Sequence, residues 1–381
     1  MFPRIVLFGR VGRARGCAAS VRSRISPQDL GKPPPDRSHV SAPAIAKTGP
    51  PSMRVLLLVF AVCTLAACAE MNRNLTERDF DDAGTVNIYG GQCLHGLTRV
   101  LIAQGDSWFS YAPAGGKAIN SSGSITDDLQ DSGDNYPYPF CIPSVATAGK
   151  TLKQMNSQKE LASLGLIFAE LAKRGVRPEA ILLSGGGDDA FSQIGTVLND
   201  FSAAEPRYDI AKLDRIIAEI LDDLEVQIGH IHDLKTRYFG NTEIPIIVNG
   251  YDYPVPDGRE PGVLWAQLLE PKLAPEFLKK HYRLDGRRPH LEIALRVVQS
   301  IVDEYNLQLE RKIKCMTAAN VVYLDLRGTL SNQIAKNKYQ EDWQNEIHPS
   351  ELGFRKLMRK YDVELDALKA GHKKVAPEGC S

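Results

Sequence analysis

The sequence predicts an α/β fold on a central, mostly parallel sheet, and two observations carry that prediction. From about Leu97 onward, short β-branched and apolar runs alternate with longer segments of helical periodicity, as expected of strands joined by crossover helices. No internal repeat interrupts this alternation, and 381 residues at 43% hydrophobic content suit one large domain.

The elements follow in order. Leu97–Ala103 is a strand running into Gly105-Asp106-Ser107. Leu152–Arg174 carries Leu161, Leu164, Ile167, Phe168 and Leu171 at helical spacing and closes on Lys173-Arg174-Gly175, a basic last turn before glycine. Ala180–Leu183 is a buried-type strand ending in Ser184-Gly-Gly-Gly-Asp188-Asp189. Asp209–Tyr238 is a long amphipathic helix or a broken pair, Ile244–Asn249 a strand, and Asn320–Asp325 the last clear strand. Between the last two strands, Tyr253–His290 is rich in proline and aromatics and reads as an insertion over one end of the sheet. Glu351–Ala370 closes the domain as a helix, so that residues 97–370 form the body and 371–381 a flexible tail.

The start of the chain is of a different kind. Residues 1–52 carry nine Arg and Lys against Asp29 and Asp36, show no apolar periodicity and read as disordered. Met53-Arg54 and the apolar run Val55–Ala67 have the layout of a signal peptide, too short for a stable span. The run ends in Leu65-Ala66-Ala67-Cys68, which looks like a bacterial lipobox. That likeness implies cleavage before Cys68, a diacylglyceryl group on its sulfur, a tether over 68–96, and an exported protein on the periplasmic side of the cell envelope. Translation is expected to begin at Met53. From Ala69 onward there are 36 basic and 44 acidic residues, a net of −8, which disfavours nucleic acid as a partner.

Cys93, Cys141, Cys315 and Cys380 lie beyond Cys68 and allow three disulfide pairings in an exported chain. No Cys/His spacing suggests a metal, and His230 and His232, two apart on a helix, do not share a face. Ser144–Thr151 ends like a phosphate-binding loop but has serine at the first glycine position and no clear strand before it. No cofactor is expected.

The chemistry centres on Ser107. A serine in a glycine-containing turn at a strand's carboxyl end projects above the sheet edge, where ligands of open α/β sheets bind. It needs a base, and His348, in Asn345-Glu-Ile-His348-Pro-Ser between the last strand and last helix, can return over that edge. The Gly-x-Ser-x-Gly elbow is absent.

Four separated blocks, in order from Val100 to Phe354, resemble the SGNH (GDSL-type) hydrolase family. They are Gly105-Asp106-Ser107; Gly149 in Ala146-Thr-Ala-Gly149; Ser184-Gly-Gly-Gly-Asp188-Asp189 beside the family's Gly-x-Asn-Asp; and Asn345–His348 beside its Asp-x-x-His. The resemblance implies a flavodoxin-like α/β/α sandwich and hydrolysis of a small-molecule, glycan or lipid ester through an acyl-enzyme. It implies Ser107 as nucleophile, His348 as base, and an oxyanion hole from the N–H groups of Ser107 and Gly149 with the side chain at 188. Two positions depart from the pattern. Asp188 stands where an amide donates, so an ionised carboxylate there would repel the oxyanion, and only a protonated one could serve. Asn345 stands where an aspartate orients the histidine, leaving Asp342, Glu346 or a main-chain carbonyl near Asn345 to do so. Asp342 is the expected orienter. These departures leave a tethered binding protein on the same scaffold as an alternative, and an acyltransferase as another. Trp108, Tyr111, Tyr251, Tyr253, Trp265 and Trp343 are candidate pocket walls or plain packing.

Overall fold

The computed structural model describes residues 99–110, 124–126, 129, 140–202, 205–240, 243–259, 272–284, 288–316 and 320–371. The expected signal peptide, Cys68, the expected tether over 68–96, Cys93, Cys380, Tyr111, Trp265 and the residues beyond Gly371 lie outside the described residues.

Five strands form one sheet: β1 (Arg99–Gln104), β2 (Phe140–Cys141), β3 (Ala180–Leu183), β4 (Ile246–Asn249) and β5 (Val321–Leu324). Their spatial order is β2-β1-β3-β4-β5, and every pairing is parallel. This is the flavodoxin-like order, whose reversal point lies between β1 and β3. Ile102 pairs with Ile181, Leu182 with Ile247 and Ile247 with Val322, giving a spine of strand residues almost wholly sealed from water. Burial on both faces explains why the strands read as continuous apolar runs.

Between the strands lie α1 (Leu152–Met155), α2 (Gln158–Lys173), α3 (Gly187–Val197), α4 (Ile210–Phe239), α5 (Ala274–Lys279) and α6 (Arg288–Lys314). After β5 come the short α7 (Tyr339–Asp342) and the closing α8 (Glu351–Lys369). Helices α1, α2, α3 and α6 all pack against α4. Helix α8 lies against β5 and α7, and its Tyr361 hydroxyl donates to Asn249 Oδ1 at 2.8 Å. Helices on both sides of a parallel sheet make the three-layer sandwich.

Two segments depart from expectation, and between them one open alternative is decided. The helix expected over Leu152–Arg174 is two helices, because Ser157 caps α2 by accepting from the Glu160 N–H. The stretch after Asp209 is one unbroken 30-residue helix, ended by Gly240 at φ +58°. The insertion yields early to α6, whose first residue is Arg288.

Candidate active site

Strand β1 delivers Gly105, Asp106 and Ser107 at its carboxyl end. Gly105 is required by crowding: a Cβ there would sit 2.9 Å from Ser184 O and 2.8 Å from the Phe109 ring. The close approach joins the ends of β1 and β3, neighbours across the reversal point. Asp106 then shapes the turn. Its buried Oδ1 accepts from the Trp108 N–H at 3.0 Å and the Ser184 hydroxyl at 2.9 Å, while its Oδ2 accepts from the Tyr251 hydroxyl. The carbonyl of Asp106 accepts from Phe109 N and Ser110 N, closing a helical turn over the serine. Burial pushes the Asp106 carboxyl up, against the pull of these donors. Ser107 itself is 6% exposed.

The loop holding Gly149 is laid beside this turn by Val145 N donating to Ala103 O and Thr147 N to Gly105 O, both at 3.0 Å. Gly149 has φ +76°, and a Cβ there would meet nothing, so backbone conformation, not crowding, calls for glycine. Lys150, the lysine of the phosphate-loop lookalike, is buried against Glu160 at 2.6 Å.

Beyond β3, Gly186 takes φ +97° and starts α3, with Asp188 and Asp189 in its first turn. Asp189 is occupied: its Oδ2 accepts from Leu152 N at 3.0 Å, and burial pushes its carboxyl up to about 6. Asp188 Oδ2 is buried with no hydrogen-bond partner among the described residues. Burial first, then the charges of Asp106 and Asp189, push Asp188 up to about 7, with Lys272 pulling the other way.

The histidine loop is closed by a bridge between Trp343 and Pro349 and by Gln344 N donating to His348 O at 2.9 Å. Asn345 lies at its centre. Its Oδ1 accepts from Ile347 N at 3.0 Å and from His348 N at 2.9 Å, which identifies that atom as the oxygen. His348 Nδ1 is 3.2 Å from the same oxygen. The Asn345 amide nitrogen is 3.1 Å from the same ring nitrogen, so the Asn345 side chain orients the imidazole through Nδ1. Burial and the Lys272 charge push the imidazole down to about 3. Trp108 Nε1 donates to Ile347 O at 3.2 Å and ties the serine turn to this loop.

Asp342, the expected orienter, is turned elsewhere. As the last residue of α7 its buried carboxylate accepts from Ser331 N at 2.7 Å and from Lys356 Nζ at 2.6 Å, fastening α7 to α8. Asn345 stands at the imidazole in its place. Glu346, the other candidate, also faces away: its carboxylate accepts from Gly258 N at 2.9 Å, Leu273 N at 2.8 Å and Ala274 N at 2.9 Å. It thus clamps both described ends of the insertion to the histidine loop, and Arg259 adds a bond to Trp343 O at 2.8 Å.

No protein-family model matches this chain, and no curated protein matches it. Among solved structures, a lipase from a goat rumen metagenome aligns at 11% identity and TM-score 0.41, over 74% of this chain and all of that one. The extracellular lipase of Streptomyces rimosus aligns at 16% identity and TM-score 0.40, over 70% of this chain and 99% of its own. An acetylxylan esterase of Geobacillus stearothermophilus aligns at 15% identity and TM-score 0.32, over 70% and 94%. The flavodoxin-like fold stands on the strand order alone.

Of the aromatic candidates, Trp108, Tyr251 and Trp343 are core. They are at most 3% exposed, and Trp108 meets Tyr251 edge-on at 5.0 Å and Trp343 at 6.3 Å. Tyr253 donates to Asp303 instead. Among the described residues no His, Cys, Asp or Glu cluster could hold a metal ion, and no helix is long and apolar enough to cross a membrane. Lys272, which reaches both Asp188 and His348 electrostatically, was not foreseen; an isolated lysine in an insertion gives no sequence signal.

Proposed function

We propose that this chain is an SGNH-type serine hydrolase that cleaves ester bonds, with Ser107 as nucleophile and His348 as base. The observation that carries the reading is the pairing of the two loops. The turn bearing Ser107 is bonded through Trp108 to the loop bearing His348, whose imidazole is oriented at Nδ1 by the Asn345 amide. His348 takes the Ser107 proton as the oxygen attacks the ester carbonyl. The N–H groups of Ser107 and Gly149 receive the oxyanion, His348 returns the proton to the leaving alcohol, and water then releases the acid by the same steps.

The substrate is a small-molecule, glycan or lipid ester, and the enzyme acts outside the cytoplasm. The lipobox ending at Cys68 supports a lipid tether. Cys141 and Cys315 are both disulfide-bonded, which suits an oxidising compartment. Cys141 lies on β2 at one edge of the sheet, while Cys315 follows α6, which packs on β5 at the other. Four strand spacings of about 4.8 Å separate those edges, so the two cysteines take different partners.

Ser107→Ala is expected to lower turnover of a short p-nitrophenyl ester by at least about 10³-fold with the fold retained. Wild-type rates in that variant would refute the assignment of Ser107, and no labelling of the folded wild type by a fluorophosphonate probe would favour a binding protein. Ester transfer to an added sugar alcohol in preference to water would make it an acyltransferase.

A further inference from the structure

We propose that Asp188 acts as a neutral carboxylic acid whose O–H is the side-chain donor to the oxyanion, making this an enzyme of acid pH. The inference rests on the serine-hydrolase reading and adds to it a donor and a pH range.

Position is the first argument. Asp188 follows the end of β3 by five residues, and that end is paired with the end of β1 that carries the serine turn. The Ser184 hydroxyl is bonded to Asp106 in that turn, so the start of α3 and the nucleophile share one sheet edge. The second argument is an atom without a bond: Asp188 Oδ2 is buried and has no partner among the described residues. A sealed, unpaired carboxylate oxygen is costly, whereas a protonated one holds an O–H ready for an acceptor that arrives with the substrate.

The charges facing it agree. Asp106 faces it from the β1 turn and Asp189 from its own helix, while Lys272, before α5, opposes them. Tyr251, after β4, and Tyr305, on α6, press on Gly187 and Gly186, and burial keeps both phenols neutral. The α3 N-terminus favours the anion, yet the balance leaves the acid half-protonated at about 7. His348 faces Lys272 and the uncharged Asn345, and its descent to about 3 keeps it a neutral base in acid. Both groups are in their working forms only between these two values. An ordinary serine–histidine pair instead gains activity as pH rises through the histidine's usual range.

The test is kcat/KM for p-nitrophenyl acetate from pH 4 to 9, in the wild type and in Asp188→Asn, with Ser107→Ala as background. Wild-type activity should be level near pH 4–6 and fall about tenfold per pH unit above 7, as one ionisation requires. Asp188→Asn, which donates without a titrating proton, should lack that fall and exceed the wild type by about tenfold or more at pH 8.5. A wild-type profile that rises through pH 7, or a fall retained in Asp188→Asn, overturns the inference while normal fluorophosphonate labelling leaves the hydrolase reading standing. Failure of labelling and turnover at every pH overturns both. Carboxyl ¹³C titration of full-length Ser107→Ala protein gives a readout independent of turnover. An Asp188 midpoint near 7 supports the assignment, and one near 4 overturns it.

Discussion

Asp106 and Asp188 stand at the ends of neighbouring strands and are surrounded in opposite ways. Asp106 is wholly buried and saturated, receiving an N–H and two hydroxyls. Asp188 is half-buried and keeps one buried oxygen unpaired. Both are pushed up by burial, so burial does not distinguish them. Partners do. A carboxylate bonded at both oxygens is part of the frame, and one with a buried oxygen left unpaired is available to a substrate.

The largest effect on stability should come from breaking the saturated member. Asp106→Ala orphans the Ser184 and Tyr251 hydroxyls and the Trp108 N–H, at roughly 1–3 kcal/mol for each group that finds no water. A loss of at least about 3 kcal/mol is expected in urea unfolding, together with loss of turnover as the serine turn opens. A loss under about 1 kcal/mol would mean that Asp106 is not the frame of the turn.

The contrasting member should behave in the opposite sense. The folded-state carboxyl of Asp188 lies above its usual unfolded value near 4, so the proton it holds stabilises the fold. That stabilisation is complete below about pH 4 and is lost as pH rises towards about 7. Asp188→Asn should therefore gain thermal stability relative to the wild type across this interval, then hold a constant lead above it. A lead that does not change with pH would place the Asp188 titration outside this interval.

These two residues also mark how far the sequence could be read. Strand β3 was legible to the residue, because a short apolar run bounded by proline-glutamate and serine-glycine has few other outcomes. Strand β2 was not, since two residues after Tyr136-Pro-Tyr-Pro become a strand only through pairing with β1. Ser107 and Asp188 follow the ends of paired strands, and the loops of Gly149 and His348 are each bonded to the Ser107 turn. The orienting group was misjudged because charge was preferred to position. Asp342 ends a helix and faces Lys356, whereas Asn345, three before the histidine, has its amide oxygen fixed by two N–H groups of its own loop. Glu346 was named for its charge as well, but its role depends on backbone N–H groups more than 70 residues away, which no local pattern reveals.

Asn345 extends the comparison to the base. Asn345→Ala removes the amide that orients the ring at Nδ1 and should lower kcat by about 10²-fold with KM little changed. Asn345→Asp puts a carboxylate at the same distance, so the imidazolium gains a counter-charge. The acid limb of the pH profile should then move upward from about 3. An unmoved limb would mean that His348 does not titrate in that limb.

The smallest effect should come from Glu346, whose three N–H bonds make it as saturated as Asp106 but away from the reacting atoms. In Glu346→Gln one acceptor oxygen becomes an NH2 facing backbone donors, which loosens the seating of Gly258 and of Leu273-Ala274 on the histidine loop. Stability should fall by about 1–2 kcal/mol. Because the clamp positions the insertion and not the imidazole, KM should rise while kcat stays within a few-fold of the wild type. A drop in kcat matching that of Asn345→Ala would instead mean that the clamp sets the histidine. The insertion would then belong to the catalytic frame and not to the wall around it.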